Sequence, residues 1–409
     1  MTNFSLDKSK IKVLLLEGIH ENASKHFREN GYTDVECLNS ALSGAELEKK
    51  LQNTHIIGIR SRTELRKDLL LNTPKLFAIG CFSIGTNQVD TQTAKMQGIP
   101  VFNAPFSNTR SVAELVIAEI IMLMRSIPEK NALAHKKIWM KSFNNSVEIR
   151  GKTLGIVGYG HIGSQVSILA ESLGMHIVYY DIEKKLSLGN SKHMSSMNDL
   201  LKISDTITVH VPLTPLTRNM ISTEQIALMK KGACLINASR GDVVDYKAVA
   251  EGLRSQHLAG VAADVFPEEP SSNDKPFEND LQDFDNVILT PHIAGSTLEA
   301  LANIGTEVAE KLVRYSDTGS TIGAVNFVEI ALQANSSKQR FLHIHKNVPG
   351  VLGEINHYFS SKGINISAEY LQTDSDLGYV ILETESELDS SVIKDLRNIP
   401  HTIRVRILY

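Results

Sequence analysis

The stretch 153–163 reads TLGIVGYGHIG, a short apolar run that ends in three glycines at the spacing G-x-G-x-x-G. A strand followed by this turn and a helix is typical of a dinucleotide site. Gly158 permits the tight turn, Gly160 lets the backbone approach a pyrophosphate, and Gly163 lets the helix pack on its strand. His161 and Ile162 begin that helix, whose N-terminus favours an anion. The stretch therefore predicts a Rossmann-like, doubly wound α/β domain with a bound dinucleotide.

The next predicted strand, 176–180, ends at Asp181, about 20 residues beyond the glycines. A carboxylate there accepts hydrogen bonds from both ribose hydroxyls and repels a 2′-phosphate, which favours NAD over NADP. Lys184 and Lys185 follow closely and keep NADP open as an alternative.

Further strands are predicted on both sides of this motif. Before the motif, the first hundred residues contain predicted strands at 11–16, 55–59, 75–80 and 99–102. After the strands at 153–157 and 176–180, further strands are predicted at 206–211, 233–237, 258–263 and 286–289. Two S-x-x-E capping boxes, Ser111 to Glu114 and Ser296 to Glu299, predict helices reaching about 126 and 315. After a polar linker at 333–338, strands at 340–345, 364–373, 378–384 and 403–408 and helices from Gly350 and Leu388 predict a βαββαβ module.

Polar side chains follow the later strands at the edge where an open α/β sheet binds its ligand. Residues expected to face the cofactor there are Ala238, Ser239, Arg240, Asp264 and His292. Oxidation of a secondary alcohol needs a base for the hydroxyl proton, and His292 suits that role. Either Glu268 or Glu269 could hold the imidazole and favour its protonated form. Arg240 could bind a substrate carboxylate through both guanidinium nitrogens.

A second basic cluster, Arg60-Ser61-Arg62, follows the predicted strand at 55–59. It could bind another anionic group of the substrate, such as a phosphate. The alternative is a solvated basic turn. Asn108 and Lys141 are weaker candidates for the same contact.

Composition excludes several classes of protein. The 409 residues suffice for two or three domains, and 42 basic against 46 acidic residues give a net charge of −4, which offers no field for nucleic acid or an anionic membrane. The N-terminus lacks the pattern of a signal peptide. The three cysteines are far apart and include no C-x-x-C pair, so we expect neither a metal nor disulfides, and a cytoplasmic location.

Several motifs together resemble the D-specific 2-hydroxyacid dehydrogenases, in the bacterial form with a C-terminal ACT domain. They are the stretches 60–63, 80–90, 103–114, 158–163, 237–241 and 289–293. The resemblance implies that Arg240, Glu269 and His292 form the catalytic group and that Ala294 and Gly295 lie beside the nicotinamide. It implies oxidation of 3-phosphoglycerate to 3-phosphohydroxypyruvate, the entry to serine biosynthesis. Relatives often have a glycine at the position of Ala294.

The resemblance also implies three domains. Residues 1–107 and 296–336 would form a discontinuous, flavodoxin-like substrate domain, 108–295 the inserted NAD domain, and 337–409 the ACT domain. L-Serine would bind at His345, Asn347 and Asn365, and two kinds of two-fold interface, through the cofactor domains and the ACT domains, would give a homotetramer. Similar proteins have a glycine pair in the linker, where this chain has Ser336-Ser337.

Two alternative functions stay open on the sequence. One is a binding protein that uses the fold as an NAD sensor, and the ACT domain argues against it. The other is a dehydrogenase for glycerate, glyoxylate, formate or 2-hydroxyglutarate, and Arg60 with Arg62 favours a phosphorylated substrate instead. Reduction of 2-oxoglutarate as a side activity is a further expectation.

Overall fold

The computed structural model describes residues 7–270, 274–333, 339–385 and 391–408. The chain divides into two compact units, the first formed by 1–107 with 301–409 and the second by 108–300. Among the described helices, none has the length and apolar character that crossing a membrane requires. Most of the predicted linker, including Ser336-Ser337, and the predicted helix start at Leu388 lie outside the described residues.

The first unit contains a five-stranded parallel sheet in the order β2-β1-β3-β4-β5. This order is the flavodoxin-like one, as expected. The strands are β1 Val13–Leu15, β2 Val35–Cys37, β3 Ile56–Ile59, β4 Ala78–Cys81 and β5 Val101–Asn103, and the helices are α1 Glu21–Glu29, α2 Gly44–Leu51, α3 Lys67–Leu71 and α4 Thr91–Met96. The short β2 was not predicted, because it lies at the edge of the sheet and lacks a buried apolar run.

The second unit contains a seven-stranded parallel sheet in the order β12-β11-β10-β9-β6-β7-β8. The six strands β8-β7-β6-β9-β10-β11 follow the Rossmann order 3-2-1-4-5-6, with the reversal between β6 and β9, and β12 extends the sheet beyond β11. The strands are β6 Thr153–Val157, β7 His176–Tyr180, β8 Lys192–His193, β9 Thr206–Val209, β10 Ala233–Asn237, β11 Leu258–Ala263 and β12 Val287–Leu289. The helices are α5 Thr109–Met124, α6 Ile127–His135, α7 His161–Ser172, α8 Met197–Ile203, α9 Thr223–Leu228 and α10 Tyr246–Arg254.

Both predicted capping boxes are wrong. Helix α5 begins after Asn108, and Ser111 lies inside its first turn, where its hydroxyl bonds that of Thr297. The next long helix, α11, covers Leu298–Thr318, and Thr297 rather than Ser296 accepts a hydrogen bond from the N–H of Ala300. Each pattern matched the residue types of a box, whereas the helix start is fixed by tertiary contacts that the pattern does not record.

The C-terminal residues form a four-stranded antiparallel sheet in the order β14-β15-β13-β16, with two helices on one face. The elements are β13 Gln339–Lys346, α12 Val351–Ser361, β14 Ile366–Thr373, β15 Leu377–Thr384, α13 Ser391–Asn398 and β16 Thr402–Leu408. This is the predicted βαββαβ module. Alternate residues of β13 pack on the helices, whereas Leu342 and Ile344 join Phe102 and Tyr315 in one buried cluster. The sheet therefore shares a core with the rest of the first unit.

Candidate active site

The glycine turn after β6 has the backbone geometry that a dinucleotide site needs. Gly158 has a φ of +92°, and a Cβ there would lie 2.4 Å from the carbonyl oxygen of His210. A Cβ at Gly163 would lie 2.2 Å from the carbonyl oxygen of Gly158, so α7 could not approach the turn with a larger residue. A Cβ at Gly160 would meet no described atom within 4 Å, which leaves open space at the N-terminus of α7. The residues present fit a pyrophosphate in that space.

Asp181 follows β7 and is fixed by two backbone donors. The N–H of Tyr159 donates to one carboxylate oxygen at 2.8 Å and the N–H of Glu183 donates to the other at 2.9 Å. Lys185, which could favour a 2′-phosphate, is ion-paired with Glu183. This arrangement fixes a carboxylate at the end of β7, where a preference for NAD requires one.

His292 and Glu269 form the centre of the site. The imidazole Nδ1 lies 2.8 Å from Glu269 Oε2, and the other carboxylate oxygen accepts the N–H of Phe266 at 3.1 Å. The hydrogen bond to Glu269 raises the pKa of His292 against the opposing effect of burial. Burial alone would raise the pKa of Glu269, but the hydrogen bonds from His292 and Phe266 outweigh it and lower that pKa. The pair engages Nδ1 of His292 and leaves Nε2 as the ring nitrogen that does not contact Glu269.

The loop that presents His292 is held by buried Asp264, which is 1% exposed at the end of β11. One oxygen of its carboxylate accepts the Thr290 hydroxyl at 2.6 Å and the N–H of Ile293 at 2.8 Å, and the other accepts the N–H of Ala294 at 2.9 Å. His292 has a φ of 54°, a left-handed conformation that costs about 1–3 kcal/mol outside glycine and persists only where surrounding contacts impose it. Asp264 thus holds the loop that carries His292, and its contact with the cofactor stays a prediction.

Arg240 follows β10 and is exposed, while its neighbours Ala238 and Ser239 are buried. Its Nη1 donates to the Ser239 carbonyl at 2.6 Å, and its own carbonyl accepts the side-chain amide of Asn237 at 3.0 Å. Asn237 also bonds the hydroxyl of Tyr246, which fixes the turn. The guanidinium therefore stands at the carboxyl end of the sheet with nitrogens available for a carboxylate.

In the first unit, the loop 60–63 surrounds a residue that the sequence did not indicate. The carboxylate of Glu17, 3% exposed, accepts the backbone N–H groups of all four loop residues at 2.8–3.2 Å. Burial would raise the pKa of Glu17, but these hydrogen bonds lower it. The side chain of Arg62 is 64% exposed, and its Nε lies 3.7 Å from Glu17. Because Glu17 occupies the backbone donors, an external anion would meet the side chains of the loop.

Three other candidates have different settings within the second unit. Asn108 is buried and stands at the N-cap position of α5 without a side-chain capping hydrogen bond, and a Cβ at Gly295 would lie 2.0 Å from its side-chain nitrogen. Ala294 is buried, so its methyl group lies within the packed core. Lys141 lies in an exposed segment after α6, together with Trp139, which is 88% exposed.

The three predicted serine ligands also differ in setting. His345 is 4% exposed, and its Nδ1 lies 3.4 Å from that of His343. Asn347 is exposed and donates to the carbonyl of Asp374 at 2.6 Å. Asn365 is exposed and precedes β14. Only the two asparagines are therefore readily accessible.

The fold and the site of the second unit define an NAD-dependent dehydrogenase that transfers hydride to or from a carbon bearing oxygen. The sequence profile "D-isomer specific 2-hydroxyacid dehydrogenase, NAD binding domain" matches residues 117–294, and that of an "AHAS small subunit-like ACT domain" matches residues 341–404. The chain belongs to the D-isomer specific 2-hydroxyacid dehydrogenase family, as the relatives described next establish.

D-3-phosphoglycerate dehydrogenase of Escherichia coli K12 is 53% identical over 100% of both chains. The Dictyostelium discoideum protein of the same name is 49% identical over 99% of both chains. Among solved structures, the D-lactate dehydrogenase of Aquifex aeolicus, complexed with NAD and lactic acid, aligns with a TM-score of 0.63 and 29% identity. That alignment covers 74% of this chain and 95% of the other.

Proposed function

We propose that this enzyme oxidises 3-phospho-D-glycerate to 3-phosphohydroxypyruvate with NAD, as the first step of L-serine biosynthesis in the cytoplasm. The observation that supports the reaction type most directly is the 2.8 Å contact between His292 Nδ1 and Glu269 at the edge of a sheet that also presents Arg240. The choice of substrate is supported by the names of the full-length relatives.

Each of the three proposed catalytic residues has a different role. His292 Nε2 takes the proton of the substrate hydroxyl during oxidation and returns it during reduction. Glu269 stabilises the imidazolium that forms, in keeping with the raised pKa of His292. Arg240 binds the substrate carboxylate and polarises the adjacent oxygen. NAD, when bound, supplies the hydride acceptor.

Arg60 and Arg62 are proposed to bind the phosphate of the substrate. The exposure of Arg62 and the attachment of its loop to Glu17 support this role, since a fixed backbone holds the cation at a defined place. Glycerate and glyoxylate lack that charge, so the same contacts favour the phosphorylated acid.

The experiment that tests the reaction follows NADH fluorescence with purified full-length protein. The substrates are a panel of 2-hydroxy acids and their keto forms, including 3-phosphoglycerate, glycerate, lactate, glyoxylate and 2-oxoglutarate. We expect kcat/KM to be greatest for the phosphorylated pair, with weaker reduction of 2-oxoglutarate. Faster turnover of an unphosphorylated acid would contradict the proposed substrate and leave the family assignment intact.

We also propose that the chain forms a homotetramer through two surfaces. The outermost strand β14 has an open edge with the half-exposed apolar residues Tyr370 and Leu371, which supports pairing with β14 of a second copy. In the second unit, Trp139 and Phe143 are 88% and 87% exposed, more than a single chain tolerates at low cost. Two different two-fold contacts per chain close a tetramer, which light scattering would test.

Feedback inhibition by L-serine is proposed at the interface where β14 of one copy would pair with β14 of a second copy. Asn347 and Asn365 are exposed and could bind serine between two copies, while the buried His345 would line the site from below. Steady-state kinetics of the intact enzyme should show kcat falling with millimolar L-serine at constant KM. Asn347→Ala should weaken this inhibition, whereas the exposed Asn398→Ala serves as the control. An intact enzyme indifferent to millimolar serine would overturn the regulatory proposal.

A further inference from the structure

A cavity of about 530 Å³ lies in the first unit between the edge strand β16 and the segment 74–77 that leads into β4. Five basic side chains line it: His55, Lys75, Arg397, Arg404 and Arg406. The remaining described lining residues are apolar or neutral, and none of them is Asp or Glu. The cavity is therefore strongly basic, although the whole chain has a net charge of −4.

The two arginines of β16 are held in place by neutral partners. Arg404 Nη1 donates to the carbonyl of Leu76 at 2.7 Å. The guanidinium of Arg406 lies 3.8 Å from the ring centroid of Phe77, and its Nη2 donates to the carbonyl of Ser316 at 3.4 Å. Its Nη1 is buried without a hydrogen-bond partner among the described residues. The charged groups are thus fixed in position, and one donor remains unused.

One carboxylate near the cavity, that of Asp317, is engaged elsewhere. Asp317 accepts the hydroxyl of Tyr32 at 2.9 Å and pairs with Lys8 at 2.7 Å. No described carboxylate lies within ion-pair distance of Arg404 or Arg406, in contrast to buried Arg340, which pairs with Glu383 at 2.8 Å in the same sheet.

The like charges affect one another. Burial lowers the pKa of Arg404 to about 10, and the neighbouring Arg406 and Arg397 add to the effect. Burial also lowers the pKa of His55, and Lys75 and Arg406 contribute, whereas Asp34 opposes them. A bound anion would relieve this repulsion.

We propose that the cavity binds a doubly charged phosphate group, carried by a small organic phosphate or present as free phosphate. The guanidinium forks match phosphate oxygens, and Lys75 adds a point charge at the exposed mouth. Its volume suits a small metabolite, since ligand sites span about 300–1,000 Å³. The apolar side chains of Ile393 and Ile403 would contact the organic part of an ester.

A ligand there would contact both β16 and the segment before β4. Binding would thus fasten the four-stranded sheet to the five-stranded one, which are already joined through the shared core. This inference does not depend on the proposed reaction, because none of the lining residues belongs to the catalytic group or to the loop 60–63.

The test is calorimetric titration of the full-length protein with inorganic phosphate and with glycerol 2-phosphate, at constant ionic strength maintained with sodium chloride. The variants are Lys75→Ala and Arg397→Ala, singly and together, because both side chains are exposed and their loss leaves the fold intact. Losing one charge-assisted contact should weaken binding about tenfold or more. Arg254→Ala, an exposed arginine paired with Glu251, is the matched control and should bind like the unmodified protein.

A second arm separates this cavity from the substrate site. Arg60→Ala should leave the cavity titration unchanged, and glycerol 2-phosphate should bind more tightly than free phosphate if an ester is the occupant. Equal affinity would identify free phosphate at the same site. In the Arg60→Ala background, binding that survives the loss of both Lys75 and Arg397 would overturn the proposal. Binding that disappears with Arg60→Ala alone, or no binding at millimolar ligand, would overturn it as well.

Discussion

Two loops, one in each unit, are each held by a buried carboxylate, but they present different side chains. The loop 60–63 is held by buried Glu17, and the loop 290–294 by buried Asp264, each through backbone N–H groups donated to a carboxylate. The difference lies in the side chain that each loop presents. His292 has its own partner in Glu269, whereas Arg62 is mostly exposed and only loosely paired. A side chain that transfers a proton needs a fixed orientation. A side chain that supplies only charge needs a fixed position of its backbone.

The largest expected effect comes from substituting His292, the proposed proton carrier. His292→Asn should lower kcat by about 10²–10⁴-fold, because the amide cannot exchange the proton. NADH binding, measured by fluorescence titration, should change little. Turnover equal to that of the unmodified enzyme would show that another group carries the proton.

Substitution of Glu269, which contacts His292, should have the next largest effect. Glu269→Gln should lower kcat by roughly 10- to 100-fold, as loss of a carboxylate behind a histidine does in other sites. The carboxylate raises the pKa of His292, so its loss should move the pH profile of the rate to lower pH. As the pH increases, the rate of oxidation, which needs neutral His292, should begin to rise at a lower pH than in the unmodified enzyme. The rate of reduction, which needs protonated His292, should begin to decline at a lower pH as well. An unshifted profile would show that Glu269 does not set the histidine pKa.

On the other loop, loss of charge should affect substrate binding more than turnover. Arg62→Ala should raise KM for 3-phosphohydroxypyruvate by at least about tenfold, since a charge-assisted contact contributes about 1.5–3 kcal/mol. The KM for glyoxylate should change far less. Arg66→Ala, an exposed arginine paired with Glu64, is the control. An equal rise for both substrates would mean that Arg62 supports the loop without binding phosphate.

The smallest expected effect comes from substituting Glu17, which holds the loop 60–63. Glu17→Gln replaces an acceptor oxygen by a donor and should cost about 1–3 kcal/mol of stability at neutral pH. The folded-state pKa of Glu17 is lowered, so its contribution is present above the unfolded pKa and is lost as the pH falls through the folded one. The difference in Tm between the two proteins should therefore narrow in acid. A constant difference would assign the effect to packing.

The sequence predicted those parts of the molecule whose pattern is local. Strand β6 and its glycine turn have the expected bounds, because a buried parallel strand is a continuous apolar run and the turn needs glycine at fixed places. His292 and Arg240 were found because each follows such a strand. The sequence left Glu268 and Glu269 equivalent, and the structure brings Glu269 to the imidazole.

Features that depend on distant residues were missed. Glu17 follows an apolar strand and reads as a solvated turn residue, since its four donors come from a loop more than forty positions away. Arg404 and Arg406 alternate with apolar residues in β16, a pattern that indicates one solvated face. That face instead meets Phe77 and Leu76. Alternation fixes which residues share a face but does not identify what covers it.

The buried cluster that joins Leu342 and Ile344 to Phe102 and Tyr315 has a consequence for how the first unit unfolds. The hydroxyl of Tyr379 adds a bond to the carbonyl of Gly319 at 2.6 Å across the same boundary. Exposing one side of such a core removes the support of the other, so the two sheets should melt as one cooperative transition. Their slowest-exchanging amides, in the central strands β13 and β3, should then share a single free energy of opening. Heat should therefore not melt the four-stranded sheet separately from the five-stranded one, although the residues of the second unit lie between them in the sequence.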